Sequence, residues 1–146
     1  MNSQSAEYAD KNIYLYAVVA MIMAIKLAVS AAASIDNNPH LQLLETGELL
    51  LLGLALALVA YLFFFHWSKL EQPTRENYLK GEGFVPQAFR YAVMQSFMIS
   101  LAVIVLMAPI SSKVGDGFGA AFYLNAAAAV MLAILAISFF IRVRAE

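Results

Sequence analysis

The chain contains no cysteine, which excludes disulfide bonds, thiolate nucleophiles and cysteine-ligated metal clusters. Charged residues are also scarce, at 13% of 146 residues, whereas soluble domains usually contain about a quarter. The net charge of −1 and the lack of a basic stripe argue against binding of nucleic acid. The chain is instead 62% hydrophobic, with a mean hydropathy of +0.74. This composition is typical of a polytopic membrane protein.

The sequence also lacks the residue combinations that make a catalytic or metal site. Its acidic residues all lie at or outside the ends of long apolar runs. The two histidines, His40 and His66, fall at opposite ends of one apolar run, so they cannot ligate one metal or haem together. We therefore expect a chain that is not an enzyme by itself and that holds no metal or other cofactor.

Four long apolar runs fill most of the chain. They cover Ile13–Ile35, Leu49–Phe65, Tyr91–Ile110 and Phe118–Ile141. At a rise of about 1.5 Å per residue, each is close to the ~30 Å needed to cross the core of a bilayer. The sequence predicts spans over residues 13–35, 47–67, 90–110 and 117–141, with a middle loop over residues 68–89. The predicted fold is one all-α integral membrane domain over residues 1–146, a four-transmembrane-helix bundle.

Basic residues near the predicted spans indicate the orientation of the bundle. Seven lie on one side, at Lys11, Lys69, Arg75, Lys80, Arg90, Arg142 and Arg144. The opposite side has Lys113 alone, outside the predicted spans. Because basic residues favour the cytoplasmic face, both termini and the middle loop are predicted to be cytoplasmic. This pattern best fits a multi-pass protein of the bacterial inner membrane.

The two predicted helical hairpins resemble each other. Tyr16–Met23 aligns with Tyr91–Met98, and Leu56–Phe64 aligns with Leu132–Phe140 at nearly the same offset. A duplicated hairpin with two spans would give parallel repeats around an axis along the membrane normal. Apolar sequences also produce such matches by chance, so both explanations stay open.

One lysine, Lys26, lies inside the first predicted span, about 13 Å from its outer end. A charged lysine at the centre of a span costs about 3 kcal/mol on insertion scales. The nearest acidic candidate for a partner is Glu48, just above the second apolar run. Ser100 and Asn125 lie about 15 Å and 10 Å inside their own spans. The sequence therefore predicts a polar layer of these four residues in the outer half of the bundle.

The predicted polar layer has two interpretations. Its residues either fix helix packing and the choice of a partner subunit, or they line the path of an ion or substrate. In the second case Lys26 would couple to the ion or substrate.

Small residues indicate where helices approach each other closely. The candidates for helix packing are Gly53, Gly117, Gly119, Ala126 and Ala127.

Two functions are compatible with these observations. The first is a non-catalytic accessory or structural subunit of a larger membrane protein complex. It is favoured by the lack of a site, of a soluble domain and of an obvious partner for Lys26 within its own span. The alternative is a small homo-oligomeric transporter or channel that uses the polar layer around Lys26. The predicted partners are the lipid bilayer and either other membrane subunits or copies of the same chain.

Overall fold

The computed structural model describes residues 3–35, 40–62, 64, 83–111 and 118–144. These residues form four helices, with no strand among them. The helices are α1 (Ser3–Ala33), α2 (Leu41–Tyr61), α3 (Phe84–Ser111) and α4 (Ala120–Arg144). Each contains a segment that is long and apolar enough to cross a membrane. This confirms the predicted all-helical chain with four candidate spans, and it suggests a multi-pass membrane protein.

Helix α3 begins earlier than hydropathy predicts. Residues 84–89, assigned from sequence to the middle loop, are helical, while residues 68–82 of that loop lie outside the described residues. Val85 and Phe89 explain the difference, because they lie four residues apart and pack together against the core. Pro86 is compatible with this start, because the first turn of a helix does not need its backbone N–H.

The four helices pack in the order α2, α1, α4, α3. α1 packs most extensively on α4 and also on α2, while α4 packs on α3 and α1 touches α3 only slightly. Within the described ranges, α2 makes no comparable contact with α3 or α4. A closed pair of repeated hairpins would also need a contact between α2 and α3. The hairpin repeat therefore gains no support from the packing and stays a prediction.

Neighbouring helices in this row run antiparallel. We call the end where α1 and α3 begin, and where α2 and α4 end, the terminal end. We call the opposite end the turn end. An isolated antiparallel bridge between Ile35 and Phe118 joins α1 to α4 at the turn end.

Buried alanines spaced seven residues apart lie on both α1 and α4, the two helices that pack most extensively on each other. On α1 they are Ala17, Ala24 and Ala31, and on α4 they are Ala129 and Ala136. A seven-residue repeat keeps the same face of a helix turned toward its neighbour. Because a methyl group projects little from the backbone, two such faces allow close approach of the helices.

Phe139 fills the core at the terminal end. Its side chain is fully buried among Ile13, Ala17, Ala88 and Ala92, so it joins α4 to both α1 and α3. The ring also meets two aromatic rings edge to face. The centroid of Tyr14 lies 5.4 Å away and that of Phe89 5.8 Å away. Such pairs add about 0.5–1.5 kcal/mol beyond the burial of area.

Most large apolar side chains on the helices face outward. On α2, for example, Leu43 is 72% exposed and Leu50 is 71% exposed. Only 6% of the most apolar segment of α2 is buried, compared with 22% in α1 and in α3. Apolar surface of this extent is unfavourable in water and is what a lipid environment covers.

The alanine contact gives a first prediction. Ala136→Leu should lower the free energy of unfolding by about 1–3 kcal/mol, because the fully buried site has no room for the larger side chain. Ala102→Leu on α3 makes the same change at an exposed position and should have little effect. Thermal unfolding in mild detergent measures both variants. Equal midpoints would show that α1 and α4 are not closely packed at Ala136.

Candidate functional site

Lys26 and Glu48 form an ion pair between α1 and α2. The Lys26 Nζ lies 2.6 Å from the Glu48 Oε1. Lys26 precedes the end of α1 by seven residues, and Glu48 follows the start of α2 by seven residues. Both positions are therefore about 10 Å from the turn end of their helices. The antiparallel hairpin brings the two side chains to the same height.

The ion pair is largely shielded by the surrounding chain. The Lys26 side chain is 16% exposed and the Glu48 side chain is 28% exposed. Ser30, one turn beyond Lys26, is buried and donates its hydroxyl to the Lys26 carbonyl oxygen at 3.0 Å. The pair supplies each charge with a partner, which reduces the cost of placing a lysine among apolar helices.

The other two residues of the predicted polar layer are not joined to this pair. Ser100 is buried and donates its hydroxyl at 2.6 Å to the carbonyl oxygen of Ser96 in its own helix. Asn125 is half-buried on α4. Across the described part of the chain, no hydrogen bond or ion pair connects Ser100 or Asn125 with Lys26 or Glu48. The four residues thus divide into one ion pair and two separate polar side chains.

The reason lies in the direction of the side chains around α1. Lys26 follows Ala24 by two residues, which is about 200° around a helix. Lys26 points to the side of α2, where it pairs with Glu48, so buried Ala24 lies on the other side of α1. Asn125 belongs to α4, on the opposite side of α1. Height in the membrane can be estimated from sequence position, but a shared height does not place two residues on a shared face.

The residues predicted to pack helices have different surroundings. A side chain placed on Gly53 or Gly119 would meet no atom of the described residues within 4 Å, so none of the four described helices packs closely on either glycine. Ala126 and Ala127 are half-buried on α4, and Gly117 lies outside the described residues. For Gly53 and Gly119, a packing role stays a prediction that concerns contacts outside this chain.

Sequence reasoning missed two features of this structure. Asn12, assigned to a polar tail, is only 1% exposed, and its Oδ1 has no hydrogen-bond partner within the described structure. Asn12 lies one turn before Tyr16, so a helix that begins before the predicted span would place the two residues on the same face. The second feature is the seven-residue spacing of Ala17, Ala24 and Ala31, which is visible in the sequence once the spacing is tested.

An apolar groove lies between α1, α3 and α4. Its volume is about 440 Å³, and it is lined by Tyr16, Val19, Ala20, Met23, Phe89, Leu132 and Leu135. The groove contains no charged side chain. Among the residues that the structure describes, no group of three or more histidine, aspartate or glutamate side chains is placed to hold a metal ion.

A double-mutant cycle tests the ion pair. Lys26→Met and Glu48→Gln should each destabilise the chain, because each leaves one shielded charge without its partner. The double variant should be less destabilised than the two single effects predict, with a coupling energy of about 0.5–3 kcal/mol. Unfolding midpoints of the four proteins in detergent provide the measurement. Strict additivity of the two effects would mean that the two side chains do not interact.

Comparison of the chain with protein-family models, with curated proteins and with solved structures finds no match. The function must therefore be inferred from the helices and their surfaces.

Proposed function

We propose that the protein is a non-catalytic structural subunit of a larger membrane protein assembly. The observation that carries this proposal is a face of small residues on α2. Gly53, Ala57 and Ala60 are all exposed, and their spacing of four and three residues places them on one face of the helix. Ala55, the buried residue of α2, is about 200° around the helix from Gly53. The small-residue face therefore turns away from α1.

Helices in a membrane associate mainly through close packing, because lipid tails are as apolar as the helix surface. Small residues allow such packing, and among the described residues Ala57 and Ala60 are exposed and no atom lies within 4 Å of a side chain placed on Gly53. Glycine within a helix costs about 1 kcal/mol relative to alanine. Within the isolated chain, the exposed Gly53 has this cost without a packing contact that offsets it. A helix of another subunit packed on this face would supply that contact.

The ion pair affects how a partner would be recognised. If Lys26 lacked an acid, a partner subunit would have to supply one. Because Glu48 lies 2.6 Å away in the same chain, the lysine has its counter-charge without a partner. The contact with another subunit then rests on apolar close packing along α2.

The proposal includes a location and an orientation. We place the chain in the bacterial inner membrane, with both termini and the middle loop in the cytoplasm. The support is the distribution of lysine and arginine, which is concentrated on the side of the termini and the middle loop. The described part of this distribution is Lys11, Arg90, Arg142 and Arg144, which all lie at the terminal end of the helices.

Native mass measurement after gentle extraction from the source membrane tests the proposed subunit. We expect other membrane proteins to co-purify with the chain in fixed stoichiometry. Gly53→Leu and Ala57→Leu should each release these partners while leaving the chain folded, because leucine side chains keep a second helix at a distance. The readout is the mass of the assembly together with the identity of every chain in it.

Ala102→Leu provides the matched control, since it enlarges an exposed alanine on α3. It should leave the assembly intact. Recovery of the wild-type chain alone, as a monomer, would contradict the proposal. Partners that stay bound to both α2 variants would exclude the small-residue face as their contact.

A small homo-oligomeric transporter or channel is the second candidate function. It is favoured by the ion pair itself, because two ionisable groups about 10 Å inside the helices could exchange protons with a transported ion. Against it, the groove between α1, α3 and α4 is apolar, and Ser100 bonds within its own helix.

Lys26→Met separates the two candidate functions. In a structural subunit, this variant should weaken α1–α2 packing, and neither the wild type nor the variant should show flux. In a transporter, the homo-oligomer should survive while pH-dependent flux across liposomes disappears. The measurement is flux through purified protein in liposomes with an imposed pH gradient. Wild-type flux in Lys26→Met would eliminate the ion pair as a transport element.

A further inference from the structure

The groove between α1, α3 and α4 has the shape of a site for a hydrocarbon chain. On α1 it is lined by Tyr16, Val19, Ala20 and Met23, which follow the spacing of a single helical face. This stripe extends for seven residues, or about 10 Å along the helix. Leu132 and Leu135 of α4 form the floor of the groove. The groove exists because α1 and α3 both pack on α4 but hardly touch each other.

The lining of the groove is almost entirely apolar. Tyr16 has the only polar group among the side chains that line it. Sites for polar small molecules usually contain several polar groups that fix the orientation of the ligand. A ligand here must place an apolar part in the groove and keep its polar part beyond the end of it.

Two arginines lie near the terminal end of the groove, Arg142 beyond it and Arg90 at the height of Phe89. Arg142 follows Leu135 by seven residues, so it lies on the same face of α4 about 10 Å closer to the terminal end. Its guanidinium carbon lies 5.3 Å from the centre of the Tyr91 ring, which holds it against α3. Arg90 directly follows Phe89, a residue of the groove, and its side chain is exposed.

Among the side chains that the structure describes at the terminal end, Lys11, Arg90, Arg142 and Arg144 are basic and Asp10 is acidic. An apolar groove that ends beside exposed arginines at one end of a membrane bundle complements an anionic lipid. The acyl chain of the lipid is apolar like the groove, and its negatively charged phosphate can bind the positively charged guanidinium groups.

We propose that this groove binds one anionic glycerophospholipid. One acyl chain lies along Tyr16, Ala20 and Met23, and the headgroup phosphate lies between Arg142 and Arg90. This inference does not depend on the proposed function, because a structural subunit and a transporter would both present the groove to lipid. It assigns the terminal end to a leaflet that contains anionic lipid.

Native mass spectrometry of the delipidated chain tests the proposal, with phosphatidylglycerol as the probe and phosphatidylcholine as its zwitterionic comparison. We expect one phosphatidylglycerol per chain, bound at least tenfold more tightly than phosphatidylcholine. Ala20→Phe should abolish this binding, because the added ring occupies the groove. Arg142→Gln should weaken it about tenfold, the effect expected when one charge-assisted contact is lost.

Both variants have a matched control. Ala102→Phe makes the same change as Ala20→Phe at an exposed site on α3, about 20 Å along the helix from Phe89. Arg144→Gln removes the same charge as Arg142→Gln, but Arg144 is about 200° around α4 from Arg142. Both controls should bind phosphatidylglycerol as the wild type does.

Three results would overturn the proposal. The first is equal affinity for the two lipids. The second is an equal loss of binding in Arg142→Gln and Arg144→Gln, which would indicate attraction to overall charge. The third is normal binding by folded Ala20→Phe. If Ala20→Phe does not fold, the two arginine variants decide the question, because both replace exposed side chains.

Discussion

The close contact between α1 and α4 is the constraint on which the rest of the structure depends. Among the described residues, α1 packs extensively on α4 and α2 and slightly on α3, and buried Ala17, Ala24 and Ala31 lie along one face of it. In a membrane the hydrophobic effect does not favour one helix–helix contact over helix–lipid contact. Small side chains that let two backbones approach can favour it. The alanine face of α1 therefore sets the position of α4, and α4 in turn positions α3.

The attachment of α2 has a different physical basis. α2 has one buried residue within its helix, Ala55, and its specific contact with α1 is the pair of Lys26 and Glu48. Desolvation of the two charges offsets much of their attraction, so such a pair adds less stability than its short distance suggests. It does specify register, since a shift of α2 along α1 would leave two charges unpaired among apolar helices. The pair thus fixes where α2 lies, while most of the α2 surface stays available to lipid or to another subunit.

Much of the fold could be predicted from the sequence, because long apolar runs determine the number and order of the candidate spans. Glu48 could also be identified as the nearest acid to Lys26 from sequence position alone. The association of Ser100 and Asn125 with that pair could not be judged in the same way. Sequence position gives the height of a residue along its helix, whereas neighbours also depend on which face it occupies. The seven-residue spacing of Ala17, Ala24 and Ala31 contains that information. These alanines mark one face of α1, and Lys26 lies on the opposite face.

The size of side chains along α1 also explains why the bundle has a groove. At the terminal end, Ala17 meets Ala88 and Ala92, and these methyl groups let α3 reach α1 beside Phe139. Farther along the same helix, the larger side chains of Val19 and Met23 line the groove. Small residues thus define where three helices converge, and larger ones define where a gap opens between two of them. A single helix can in this way create both a tight core and a lipid-sized opening, with the Tyr16 hydroxyl as the one polar group in the lining of the opening.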